Sequence, residues 1–212
     1  MEFLPVDLHQ YIEDHSEAES DLLQKINRET HLHVLKPRML SGHLQGRVLS
    51  MLSHMVQPTN ILEIGTYTGY AALCLAEGLK PEGRLITIDV NAELAVRTQS
   101  YFEASDFKDQ IEMMVGNALE IIPTLDLKWD LVFIDADKEN YEEYFDLVID
   151  QVREGGIIIA DNVLWSGKVS DKTKQDGATA SIRAFNSKVH KDSRVQTVLF
   201  PIRDGLMMLR KL

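Results

Sequence analysis

The chain has 212 residues, 44% hydrophobic and 26% charged, which suits one well-buried core and is short for two. Its formal charge of −11 argues against a basic nucleic-acid face, and its single cysteine, Cys74, excludes an internal disulfide and a cysteine-rich zinc site. No apolar run approaches the roughly 20 residues that span a bilayer, and the acidic opening MEFLPVDLHQYIEDHSEAES is unlike a secretory leader, so one cytoplasmic domain over 1–212 is expected, with no membrane partner.

Residues 1–56 read as helical throughout; Leu44, Val48, Met51, Leu52 and Met55 give the last of these helices an apolar stripe. From Asn60 the pattern changes, and 57–212 reads as a core of short apolar runs separated by helices. Ile61–Ile64, Leu85–Ile88, Ile111–Val115, Leu131–Ile134 and Ile157–Ala160 are rich in β-branched residues, as parallel strands buried on both faces are. Cys74, among Ala71, Ala72, Leu73 and Leu75, reads as a small core residue. Tyr141, Tyr144, Phe145, Val148, Ile149 and Val152 form one helical stripe, with Gly155 and Gly156 as its expected stop. Ile182, Phe185 and Val189 form another.

The last two runs, Val195–Phe200 and Leu206–Leu209, are separated only by Pro201-Ile202-Arg203-Asp204-Gly205. A parallel crossover needs about a dozen residues, so this pair is predicted to be an antiparallel hairpin. The expected fold is α/β: a doubly wound, mostly parallel, seven-stranded Rossmann-like sheet with a C-terminal antiparallel hairpin and extra N-terminal helices.

Four predicted strands carry an acid at or next to the carboxyl end: Glu63, Asp89, Asp135 and Asp161. In an open parallel sheet the ligand lies in the crevice beyond those ends, so the four are expected to converge on something positive. One such acid is commonly a helix cap; four at equivalent positions point to a metal, a cationic ligand, or both. After the first strand, Gly65 allows a sharp turn and Gly69 opens the next helix. Asp89 is placed to take ribose hydroxyls, but the glycine spacing is GxxxG rather than GxGxxG, which favours a ligand with ribose and no pyrophosphate. Asp135, Asp161 and Asn162 offer hard oxygen donors suited to Mg²⁺, Ca²⁺ or Mn²⁺. Lys138, three residues past Asp135, sits where a helix N-terminus disfavours a cation, which hints at a role facing the crevice.

LEIGTYTGY (62–70), ITIDVN (86–91), VFIDADKENY (132–141), DNVLWSGKV (161–169) and the closing FPIRDGLMMLRK (200–211) resemble the cation-dependent O-methyltransferases related to catechol and caffeoyl-CoA O-methyltransferases. The similarity runs from about Met39 to the end. It implies a methyltransferase fold, and S-adenosylmethionine bordered by Glu63, Gly65, Tyr67 and Gly69, with Asp135 nearby. Asp89 would bind its ribose, and Asn117 and Ala118 would border its adenine. The resemblance further implies that Asp135, Asp161 and Asn162 hold a metal, usually Mg²⁺, and that Lys138 is the general base. Trp165 and Ser41 would contact a vicinal-dihydroxy aromatic acceptor, and a homodimer is implied.

The chain departs from the family at Gln45, where the front helix commonly carries an acid. The lysine- and aspartate-rich Ser166 to Thr179 is expected to be a flexible, lid-like loop. A tRNA hydroxyuridine O-methyltransferase is the nearest rival, through contacts such as Lys168, Lys172 and Lys174 to phosphate; a nicotinamide-dependent oxidoreductase and a binding module without metal dependence are more remote. The scattered histidines, among them His31, His33 and His190, read as ordinary surface or core residues.

Overall fold

A computed structural model describes residues 5–212. The helices are α1 (Val6–Asp14), α2 (Asp21–His33), α3 (Gly42–Val56), α4 (Tyr70–Ala76), α5 (Ala92–Glu103), α6 (Ala118–Ile121), α7 (Tyr141–Ile149) and α8 (Gly177–Lys191). The strands are β1 (Asn60–Ile64), β2 (Arg84–Asp89), β3 (Ile111–Val115), β4 (Trp129–Ile134), β5 (Val152–Asp161), β6 (Val195–Phe200) and β7 (Leu206–Lys211). They form one seven-stranded sheet in the order β3-β2-β1-β4-β5-β7-β6. The first five pair in parallel, whereas β7 runs antiparallel to both β5 and β6. Chain order reverses between β1 and β4, which places the ligand crevice above that pair.

The period-two alternation of each strand splits the core in two. Leu62, Ile64, Ile86, Ile88, Val132, Ile134 and Ile158 face the layer of α7 and α8, with Phe145, Ile182 and Phe185. Ile61, Leu85, Leu131, Phe133 and Ile159 face α2 to α5, where Leu23, Ile26, Leu49 and Cys74 pack. Cys74 is buried there, as a small core residue would be. Among the described residues no helix is long and apolar enough to cross a membrane.

Three local expectations are corrected. The first 56 residues are not continuously helical: Ser20 accepts from the Leu23 amide to start α2, and a 3-10 turn at Pro37–Met39 separates it from α3. The opening methionine and the next three residues lie outside the described part. Val152 is not in the helical stripe, and Gly155 and Gly156 do not stop a helix. α7 ends at Ile149, and the glycines lie inside β5, opposite a register shift between Trp129 and Leu131. A Cβ on Gly156 would crowd Val152 and the carbonyl of Arg153, so the glycines serve an irregular strand rather than a cap. Finally, 166–179 is not a free loop. A 3-10 turn covers Trp165–Ser170, and Arg183 of α8 donates to the carbonyls of Lys168, Val169, Asp171 and Lys174.

Candidate active site

The carboxyl ends of β1, β2, β4 and β5 open into one cavity of about 1560 Å³. Small-molecule sites commonly measure about 300–1,000 Å³, so there is room for two ligands together. At the β1–β2 end it is lined by Gly65, Tyr67, Asp89, Gly116 and Ala118; in the middle by Asp135, Lys138, Asp161 and Asn162; at the far end by Lys36, Arg38, Met39, Trp165, Lys168 and Arg203. Three of the four predicted acids, Asp89, Asp135 and Asp161, therefore share one space. Glu63 does not. Being one residue short of the strand end, it faces α4 and α5 with 0% exposure and is not among the residues lining the cavity.

The β1–β2 end is built largely from backbone. Asp89 accepts the Tyr67 amide at 2.7 Å on one oxygen and the Asn91 amide at 2.8 Å on the other, which ties the two strand ends together. Each oxygen keeps a lone pair for a ligand hydroxyl. Gly65, at φ +103°, lies so close to β4 that a Cβ would collide with the carbonyl of Asp135. Gly69 serves a different purpose: at φ +78° it turns the chain into α4, and a Cβ would strike the Phe102 ring. Asn117 is exposed and caps α6 by accepting the Leu119 amide, whereas its neighbour Ala118 is buried and lines the cavity. Beneath this end Thr87 donates to Glu63 and lies 2.5 Å from Thr66, while the second Glu63 oxygen has no partner. Burial, reinforced by Asp135 and Asp89, pushes the Glu63 carboxyl well above the ordinary range despite the Thr87 bond.

In the middle, Asp161 ends β5 and is 3% exposed. Its oxygens accept the Gln45 side-chain amide and the Asn162 backbone amide, both at 2.6 Å. Burial, and then the charge of Asp135, push its carboxyl up to about 7. Lys138 donates to Asp135 at 2.9 Å and to the Tyr141 hydroxyl at 2.5 Å. It sits in a 3-10 turn, Lys138–Asn140, ahead of α7 rather than in the helix itself. Among the described residues no group of three or more His, Cys, Asp or Glu side chains is arranged to hold a metal. Asp135 and Asp161 line the cavity as two carboxylates, and Asn162, which also lines it, carries a side-chain amide oxygen.

The far end is assembled from segments distant in sequence. Asn162, Trp165, Ser166 and Gly167 all have positive φ, so the chain beyond Asp161 coils tightly. Val163 and Leu164 then bond the carbonyls of Gly205 and Asp204 in the β6–β7 turn. Trp165 lines the cavity, Lys168 lies 5.8 Å over its ring, and its buried indole N–H has no protein partner. Ser41 lies in a shallow hollow under Met39, Tyr67 and Asp135 rather than in the main cavity. Its carbonyl, with that of Leu40 at 2.8 Å, accepts from Arg203.

A family model described as O-methyltransferase matches residues 13–212. The chain belongs to this family of O-methyltransferases. It is 35% identical to the catechol O-methyltransferase of Niastella koreensis over 73% of this chain and 72% of that one. It is 29% identical to the caffeoyl-CoA O-methyltransferase of Stellaria longipes over 96% of this chain and 90% of that one. Among solved structures, the Streptomyces achromogenes O-methyltransferase TomG, in complex with SAM, superposes with a TM-score of 0.88 at 30% identity. That match covers 97% of this chain and 96% of TomG.

In this O-methyltransferase three side chains at the site went unassigned in the sequence. Gln45, noted only as a departure, is 1% exposed and bonds Asp161, with its oxygen 3.4 Å from Arg203. Arg203 joins three segments that no local spacing connects. Tyr141 was visible as part of an apolar stripe and as the last residue of VFIDADKENY, with no role given to it; its position three residues after Lys138 is the signal that places both on one turn.

Proposed function

We propose that this chain transfers the methyl group of S-adenosylmethionine to one of two neighbouring hydroxyls on a catechol- or caffeoyl-type small molecule, with a divalent cation, Mg²⁺ foremost, at Asp135, Asp161 and Asn162. The observation that carries the reading is the pair Asp135 and Asp161 in one cavity, with Lys138 bonded to Asp135. Asp161 is held by two neutral donors, so its charge lacks a close cationic partner of its own. A hard cation fits this set of oxygen donors. When bound, it would supply the positive charge that acidifies and orients a ligand hydroxyl.

The chain's own groups supply the rest. Asp89, oriented by the Tyr67 and Asn91 amides, accepts the ribose hydroxyls, while Gly116 and Ala118 border the adenine. Gly65 and Tyr67 let backbone approach the methionine part. Lys138, 10% exposed at its side chain and lining the cavity, takes the proton from the attacking hydroxyl. The resulting oxyanion attacks the methyl carbon, and the carbon–sulfur bond breaks toward sulfur. Trp165, which lines the cavity, offers a flat face to the acceptor ring. Holding the two reactants in line in a common cavity is the main source of rate. Exposed Val6 and Tyr11 on α1, and Met51 and Met55 on α3, support a homodimer through these helices.

The test is incubation with labelled S-adenosylmethionine and caffeic acid, with Mg²⁺ or with EDTA. Transfer that needs the metal and disappears in Asp161→Ala supports the proposal. Transfer to tRNA with none to any catechol would overturn the small-molecule reading, which the exposed Lys36 and Arg38 at the cavity mouth make the rival worth including.

A further inference from the structure

Tyr141 opens α7 and is fully buried, with its ring edge-on to Phe185 of α8 at 5.4 Å. Packing alone would be served by phenylalanine. Yet the hydroxyl meets three polar groups: the Lys138 amine at 2.5 Å, the Asp161 carbonyl at 3.0 Å and the Ile134 carbonyl at 3.3 Å. Those carbonyls belong to the last residues of β5 and β4, the strands that present Asp161 and Asp135. One hydroxyl therefore touches both strand ends and the lysine.

A phenol has one proton to give and lone pairs to accept with. Neither carbonyl can donate, so the Tyr141 proton goes to a carbonyl, the nearer being that of Asp161. Its oxygen then accepts an N–H from Lys138. An ordinary phenol is neutral near pH 7, so the hydroxyl keeps its proton and this direction.

We infer that Tyr141 is a positioning residue that fixes which face of the Lys138 nitrogen meets the acceptor hydroxyl. The inference rests on Lys138 as the base, as proposed above. A lysine nitrogen has three positions beside its carbon. Tyr141 takes one and Asp135, at 2.9 Å, takes a second. The third is the only one free to exchange a proton, and the lysine itself lines the cavity. Without the hydroxyl, a four-carbon flexible stem would swing about the single contact to Asp135, and the free position would no longer point one way.

Tyr141→Phe is expected to lower kcat by about tenfold to a hundredfold, the scale of an ångström-sized misplacement. KM for caffeic acid and for S-adenosylmethionine should stay within about twofold, because the base position matters to the transition state rather than to ground-state binding. In a Lys138→Met background the same change should cost less than about twofold. An equal fold-loss in both backgrounds, or no loss when Lys138 is present, overturns the inference. If Lys138→Met alone keeps full kcat, the base reading falls and the positioning role falls with it; loss in Lys138→Met but none in Tyr141→Phe sinks only the latter. One measurement needs no tyrosine variant. In ¹⁵N-lysine-labelled wild type, the Lys138 amine, identified by its absence in Lys138→Met, should exchange its protons more slowly than exposed lysines do. Exchange as fast as theirs would overturn the inference even if Tyr141→Phe failed to fold.

Discussion

The two ends of the cavity are built differently. The β1–β2 end is a continuous sheet edge: adjacent parallel strands, short turns and backbone amides that hold Asp89 from both sides. The far end gathers the α2–α3 link, the turn after β5 and the β6–β7 turn, joined by Arg203 and by the bonds of Val163 and Leu164 to that hairpin. The first is positioned by secondary structure, the second by long-range side-chain contacts. Damage at the first should therefore reach the fold, whereas damage at the second should be confined to one ligand.

The largest expected effect is at Gly65. Its φ of +103° strains any L-residue by about 1–3 kcal/mol, and a Cβ would also meet the Asp135 carbonyl. Gly65→Ala should lose about 3 kcal/mol or more, a fall in Tm of about 6–12 °C for a chain of this size. Calorimetry that finds Tm within about 2 °C of wild type would show the sheet edge to be softer than the comparison claims.

Gln45→Ala comes next, at the boundary between the two ends. It removes the side-chain donor to Asp161 without touching backbone. Loss of such an outer partner typically weakens metal affinity 10–100-fold. Titration of the purified variant with Mn²⁺, followed by the paramagnetic signal, should show that weakening with Tm little changed. Unaltered Mn²⁺ affinity would mean that Asp161 is held well enough by the Asn162 amide alone.

Arg203→Met tests the far end by itself. The guanidinium spans the carbonyls of Leu40 and Ser41 and reaches Gln45. Charged hydrogen bonds contribute roughly 1.5–3 kcal/mol, so KM for the catechol should rise on the order of tenfold. Binding of S-adenosylmethionine, measured by calorimetry, should stay within about twofold. Equal losses for both ligands would erase the distinction between the ends.

The same division explains what the sequence made legible. The strands themselves, the terminal hairpin and Asp89, Asp135 and Asp161 were readable because apolar runs and the residues that end them are local signals. Lys138 was readable from its place beside Asp135. Gln45 and Arg203 were not, since their partners lie 116 and more than 150 positions away. Tyr141 hid in an apolar stripe because its ring does pack as the stripe requires; only its hydroxyl tells it apart from phenylalanine. Glu63 shows the opposite error: a position one residue from the strand end looks like a crevice residue until the alternation of β1 turns it toward α4.

Near pH 4 Glu63→Gln should have the smallest effect, and its pH dependence tests that placement. The folded carboxyl is held well above its ordinary value of 4.5, so above that pH the unfolded chain releases a proton that the folded chain keeps. Stability then falls as pH rises from about 4.5, by at most about 1.4 kcal/mol per pH unit. Glutamine has no such proton to release. The two proteins should melt alike near pH 4, and the variant should gain on wild type as pH rises toward 7, with the Thr87 hydroxyl still able to donate to the amide oxygen. Parallel melting curves across that range would mean that Glu63 is ionised in the folded protein. It would then need a positive partner that the sheet does not provide, which would return it to the cavity and to the ligand at the β1–β2 end.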